Sequence, residues 1–123
     1  MSRPGVIVSS MESTLENFIV TTMNDLPGYE IVQVCGEVFG LVVRARNVFS
    51  NIGASLRTVF GGEVTQYTQL LADSRNQAIE RLKLAAKEKG GNAVIAMRFD
   101  CNEIANLMSE IAAYGTAVIV RKK

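Results

Sequence analysis

The feature that most limits the fold is a single long stretch, residues 64–89, that reads as one amphipathic helix. Tyr67, Leu70, Leu71, Ala78, Leu82, Ala85 and Ala86 recur there at steps of three and four, with polar residues between them. No proline interrupts it, and Ala, Leu, Lys, Glu and Gln, all strong helix formers, fill its second half. Gly90-Gly91-Asn92 supplies the stop, after Lys87 and Lys89 have placed cations near the negative end of the helix. Everything else in the chain must be arranged around this one rod.

On either side the period changes from helix to strand. Phe18-Ile19-Val20-Thr21-Thr22 is a short β-branched run, halted by Asn24-Asp25 and Pro27-Gly28. Residues 29–44 are rich in Val and Ile and read as strand, with a bulge, bend or hairpin expected near Gly36 and Gly40. Ile52, Leu56, Val59 and Phe60 follow at helical spacing and suggest a short helix ended by Gly61-Gly62. After the long helix, Ala93, Ile95, Met97, Phe99 and Cys101 are expected on one inward strand face, with a turn at 106–110 and a last strand at 114–120. Strands grouped before and after one long helix indicate an α+β fold: a small, mostly antiparallel sheet in two layers with that helix and the short one. Residues 1–17 show no period and read as a loosely ordered extension, leaving residues 18–123 as one domain.

One helix covers one face of a sheet. Yet residues 29–44 are apolar on both faces: Val32, Val34, Val38 and Val42 on one, Ile31, Cys35, Phe39, Leu41 and Val43 on the other. A half-solvated antiparallel sheet alternates apolar with polar residues. The second face therefore needs a cover: the short helix, the N-terminal segment or, as expected here because few elements are available, a further copy of the chain. Hydrophobic residues are 48% of the 123-residue chain, enough for both a core and an interface.

Charge and residue types narrow the function. A net charge of +1 provides no field for nucleic acid or an anionic membrane. The longest nearly apolar run, residues 111–120, is too short to span a bilayer, and residues 1–10 lack the apolar stretch of a secretory signal, so a cytoplasmic protein is expected. With no histidine in the chain, His-based triads and His-containing zinc sites are excluded, and a non-enzymatic role is expected. Arg44, Arg46 and Arg57 bracket Asn47 ahead of the long helix, whose free N–H groups suit an anion. Cys35 and Cys101 stand apart from each other and form no CxxC pair. The alternative reading is a metal-binding protein that uses these thiols with carboxylates.

In its order of motifs the chain resembles the bacterial YbjQ-like family. The match runs through Thr21-Thr22, Gly28-Tyr29, Ile31, Gly36, Val38, Gly40, Asn47, Arg57 and Gly61-Gly62. It continues with Tyr67, Arg75, Ala78, Gly90-Gly91-Asn92-Ala93-Val94 and Gly115-Thr116-Ala117-Val118. The resemblance implies a βα subunit that assembles into a pentameric ring, and a heavy metal as the only cofactor its family label names. Arg44-Ala45-Arg46 departs from the small Gly-Thr pair usual before Asn47. A shared pocket for a small anionic ligand at subunit junctions is expected from Thr21, Thr22, Arg46, Asn47, Gly61, Gly62, Tyr67 and Arg75. They are polar or glycine positions of the matched motifs, near the ends of elements, or the arginine beside one.

Overall fold

The fold is taken from a computed structural model, which describes residues 18–45, 65–104 and 108–123. In chain order the elements are β1 (Ile19–Val20), β2 (Tyr29–Ala45), α1 (Thr65–Glu88), β3 (Ala93–Ile104) and β4 (Met108–Lys122). The four strands form one sheet in the order β1-β3-β4-β2. β4 is antiparallel to both β2 and β3, so those two run parallel to each other and α1 is the crossover between them. β1 pairs parallel with β3 at Ile19↔Ala93 and Val20↔Val94. The expected α+β class and mostly antiparallel sheet are present. The expected short helix at 52–60 and the extension 1–17 lie outside the described residues.

The helix is where its spacing places it, and it lies mainly over β2 and β4, with its smallest contact on β3. Ala78, Leu82 and Ala86, one stripe of α1, are fully buried against Val38 and Val42 of β2 and Ile111, Ala113 and Ala117 of β4. Gly40 lies between the two valines on this face. A Cβ there would stand 2.0 Å from the Ala78 carbonyl oxygen and 2.5 Å from the Leu82 nitrogen, so the backbones of strand and helix meet at this point.

Three expectations about the strands are corrected. Residues 29–44 do not turn back as a hairpin: β2 is one 17-residue strand, and Gly40 serves close approach, not a bend. Register shifts fall at Ile31/Gln33 and at Val34/Gly36, the second with Gly36 at φ +113°, a left-handed value that glycine accepts. Second, Ala93 to Cys101 do not share a face. A register shift between Ile95 and Arg98, with Ala96 at φ +54°, inserts one extra residue and exchanges the faces. Val94 and Met97 thus join the core under α1, while Ala93 packs with Leu26, Val118 and Val120 in a smaller cluster, with Ile95 against it. Third, β4 begins at Met108, so Met108, Ser109 and Glu110 are strand and pair with Ile104, Glu103 and Asn102.

The helix exit is fastened by Asn92. Its Nδ2 donates to the Val120 carbonyl at 2.9 Å and its Oδ1 accepts from the Val120 N–H at 2.7 Å, imitating a strand pair where the sheet begins. Two such bonds, each worth about 0.5–1.5 kcal/mol net, hold residues 28 apart. Asn92→Ala is therefore expected to lower unfolding free energy by about 1–2 kcal/mol in a urea titration. Asn92→Asp keeps the acceptor but sets a carboxylate oxygen against the Val120 carbonyl, and is expected to lose at least as much.

Among the described residues, the far face of the sheet is capped at one end, by Leu26 in the turn that the Tyr29 N–H closes on the Leu26 carbonyl. Away from it Val34 is 65% exposed and Phe39 52%, with Leu41, Val43 and Tyr114 also exposed. Phe39 and Tyr114, directly paired across β2 and β4, stack at 6.1 Å between ring centroids.

Candidate functional site in the groove between α1 and β3

Because α1 leans toward β2, it leaves a groove on its other side, above β3. The groove holds about 440 Å³ and is lined by Thr68, Leu71, Ala72, Arg75, Asn76, Ile79 and Phe99. The six helix residues fall in two adjacent rows, 68-72-76 and 71-75-79, so one face of the helix builds the wall. The Arg75 guanidinium lies over the Phe99 ring, 5.3 Å from its centroid. That contact holds the cation flat against an apolar surface and leaves its N–H edges for a planar anion. Thr68 and Asn76 add neutral hydrogen-bonding groups. Such a wall suits a small ligand with a carboxylate or phosphate and an apolar body.

A second cleft of about 480 Å³, lined by Phe18, Ile19, Tyr29, Lys87, Gly90, Gly91, Asn92 and Val120, sits at the other end of the helix. Its chemistry is less suited to an anion. It opens at the negative end of α1, and the Asn92 amide is spent on Val120.

Three of the expected ligand residues gather on one short stretch of β3. Thr21 donates its N–H to Val94 and accepts from the Met97 N–H at 3.0 Å, and its hydroxyl accepts from the Met23 N–H. The Thr22 carbonyl accepts from Arg98 Nη1 at 2.8 Å. Arg75 covers Phe99, one residue further on. The backbone groups of both threonines and the Thr21 hydroxyl seat the 21–23 segment against the Ala96 bulge, while Arg75 faces the groove. Tyr67 lies in the first turn of α1; its side chain, like Arg46, Asn47, Gly61 and Gly62, lies outside the described residues. Phe99, Leu71, Asn76 and Ile79 were not among the ligand residues expected from sequence. Only the helical row 68-72-76 beside an apolar row hinted at them, and Phe99 comes under it through the bulge.

The cysteines do not converge within a subunit. Cys35 flanks the pairs Val34↔Val118 and Gly36↔Ala117, whereas Cys101 pairs with Ile111. Six residues along β4 separate these positions by roughly 20 Å, at about 3.3 Å per residue. Cys35 packs partly buried against the core, but Cys101 is exposed, not inward as expected: it lies on β3 beyond the Ala96 bulge, at the mouth of a cavity that Leu71 of α1 also lines. Among the described residues no group of three or more Cys, Asp or Glu is placed to hold a metal ion, and the chain has no histidine. The described residues of one subunit do not fit a heavy metal. No helix among them is long and apolar enough to cross a membrane.

Comparison with known proteins agrees with this fold. A family profile described as "Putative heavy-metal-binding" matches residues 18–121. A UPF0145 protein of Streptomyces griseus is 51% identical over 104 residues, 85% of this chain and 86% of its own. One from Lactococcus lactis is 49% identical over 108 residues, covering 88% and 99%. Among solved structures, a protein of unknown function of the DUF74 family from Pediococcus pentosaceus superposes with a TM-score of 0.55. It is 16% identical, with 85% of this chain and 98% of that one covered, and it supports the fold alone.

Proposed function

The chain belongs to the YbjQ-like, UPF0145 family, and from that premise we propose that it is a self-assembling, non-catalytic binding protein. Its α1–β3 groove takes a small anionic ligand where copies meet. The observation that carries the reading is Arg75 laid on Phe99 above an apolar wall, in a chain whose sheet exposes Val34, Phe39, Leu41 and Val43 on its far face. Catalysis without histidine would need an activated cysteine, lysine or carboxylate. The groove contains none of these. Assembly is supported by the apolar far face, since burying a large side chain yields about 1.5–3 kcal/mol and several such side chains line up there. A pentameric ring is the form that the family resemblance implies, and a cytoplasmic setting fits two cysteines that are free thiols.

Thermal unfolding with added benzoate and, separately, inorganic phosphate tests the ligand reading. Benzoate carries both charge and ring, and is expected to raise the Tm more than phosphate does. A ligand at 100 times its Kd adds about 2.7 kcal/mol. Arg75→Gln is expected to erase the benzoate shift while leaving the unliganded Tm within a few degrees. An equal response in wild type and Arg75→Gln places the anion elsewhere, and no response to either probe argues against the groove.

A further inference from the structure

We propose that the ligand of the α1–β3 groove is an amino-carboxylate, whose anionic end rests at Arg75 and whose ammonium end reaches Glu103 and Glu110 in an adjoining cavity. This deepens the anionic-ligand reading and rests on it.

The groove does not stop at Leu71. That side chain also lines a further cavity of about 250 Å³, whose other walls include Cys101, Glu103, Ser109, Glu110 and Ile111 of the β3–β4 hairpin. The pairs Phe99↔Ala113, Cys101↔Ile111 and Glu103↔Ser109 follow one another at two-residue steps, so Phe99, Cys101 and Glu103 share one face of β3. It is the face turned to α1, because Ile111 and Ala113 are buried in the core beneath that helix. α1 runs antiparallel to β3, and Leu71 stands one turn before Arg75. Helix and strand therefore follow the same path, from Arg75 over Phe99, past Leu71 and Cys101, to Glu103.

Charge is sorted along this path. Among the described residues, Arg75 is the ionised side chain that lines the groove, and Glu103 and Glu110 are those that line the cavity beyond Leu71. Neither glutamate is in an ion pair among the described residues, where the pairs are Lys83–Glu80 and Arg121–Glu30. A ligand that spans both cavities carries the reverse order: an anion for Arg75, an apolar middle for Leu71 and an ammonium for the carboxylates. Phe99 and Glu103 are four residues apart on β3, roughly 13 Å at about 3.3 Å per residue. A contact of about 2.8 Å at each end leaves about 7 Å between the ligand's own charges. A benzene ring with carboxylate and aminomethyl groups opposite each other spans such a gap. A dicarboxylate of similar length is disfavoured, since its far end meets two carboxylates.

Titration calorimetry with benzoate, para-(aminomethyl)benzoate and terephthalate tests the assignment. In wild type the amino compound is expected to bind about fivefold tighter than benzoate, the upper range for a solvent-exposed ion pair, and terephthalate weaker than benzoate. Glu103→Gln combined with Glu110→Gln is expected to abolish that preference and keep the affinity for benzoate, with wild-type circular dichroism. Arg75→Gln is expected to weaken the binding of all three.

Cys101 locates the bound tail in the wild-type chain, without relying on how any variant folds. Iodoacetamide alkylates its Sγ with loss of iodide, and peptide mass spectrometry reads the rate at this residue. Saturating para-(aminomethyl)benzoate is expected to slow that rate several-fold, and the shorter benzoate to slow it less. Equal affinity for the two compounds in wild type, a preference that survives the glutamine substitutions, or an unchanged Cys101 rate overturns the amino-carboxylate and leaves the Arg75 site standing. No binding of either compound overturns both.

Discussion

Replacing Gly40 with alanine is expected to cost about 3 kcal/mol or more of unfolding free energy, among the largest effects of any single methyl group in this chain. The added Cβ would lie 2.0 Å from the Ala78 carbonyl oxygen, 2.5 Å from the Leu82 nitrogen and 3.0 Å from the Leu82 Cα. All three are backbone atoms of α1, so no side chain can rotate away, and the helix must lift from the strand. Overpacking a core costs about 1–3 kcal/mol when neighbours can adjust. Here the obstruction is the helix itself, and its lifting loosens Val38, Val42, Leu82 and Ala86 together. For a domain near 100 residues such a loss lowers the Tm by about 12 °C or more. Gly40→Val is expected to leave the chain largely unfolded, since whole domains are stable by only about 5–15 kcal/mol. A Gly40→Ala protein within 0.5 kcal/mol of wild type in urea would show that α1 does not rest on β2 at this point.

Leu82→Ala is the second large effect, and it tests the same contact from the helix side. Leu82 is 0% exposed and is among the largest fully buried side chains, so truncation removes its burial and opens a cavity beneath the middle of α1. Such substitutions cost about 2–5 kcal/mol. The expected loss is about 3 kcal/mol, because the facing Val38, Val42 and Ala113 are small or β-branched and can collapse little. Leu84→Ala, two residues along on the 41%-exposed solvent side, is the control and is expected to change stability by less than about 0.5 kcal/mol. Equal losses at the two positions would mean that the helix is rotated from the orientation described.

The helix was legible because its signal is local. A 3.6-residue period marks Ala78, Leu82 and Ala86 as one stripe, and Gly90-Gly91 marks its end, without knowledge of any other element. Val38 and Val42 were likewise legible as partners on one face. The period failed at β3, where an alanine in the left-handed region shifts the register by one residue; Ala96 carries no mark of that conformation, whereas Gly36 did. β1 was visible as a β-branched run, but its two-residue length follows from a parallel contact with a strand more than 70 positions away.

The candidate site was less legible for the same reason. Arg75 was found through the family resemblance, but Phe99, which fixes its orientation, reaches it only after the bulge has turned the strand over. Thr21 and Thr22 were placed in a pocket, and the structure brings them to the adjoining residues of β3, where Thr21's backbone and hydroxyl and the Thr22 carbonyl hold a loop. Polar residues at the ends of elements suit both tasks equally, and only the hydrogen bonds separate them. The two faces of β2 were not read correctly before the bulge: Val34, expected beside Val38 and Val42, is exposed, and Cys35, expected beside Phe39, packs against the core. From Val38 to Val43 they were read correctly, and Phe39, Leu41 and Val43 remain exposed on the subunit.

That exposed strip makes self-assembly the central claim, and the mass of the intact wild-type chain in solution tests it most directly. Sedimentation velocity at low-micromolar concentration is expected to give one particle whose mass is a fixed multiple of 13.4 kDa, five being the multiple that the family resemblance implies. A single species of 13.4 kDa across the same concentrations would contradict the account, because the bare face of β2 and β4 would then need no partner.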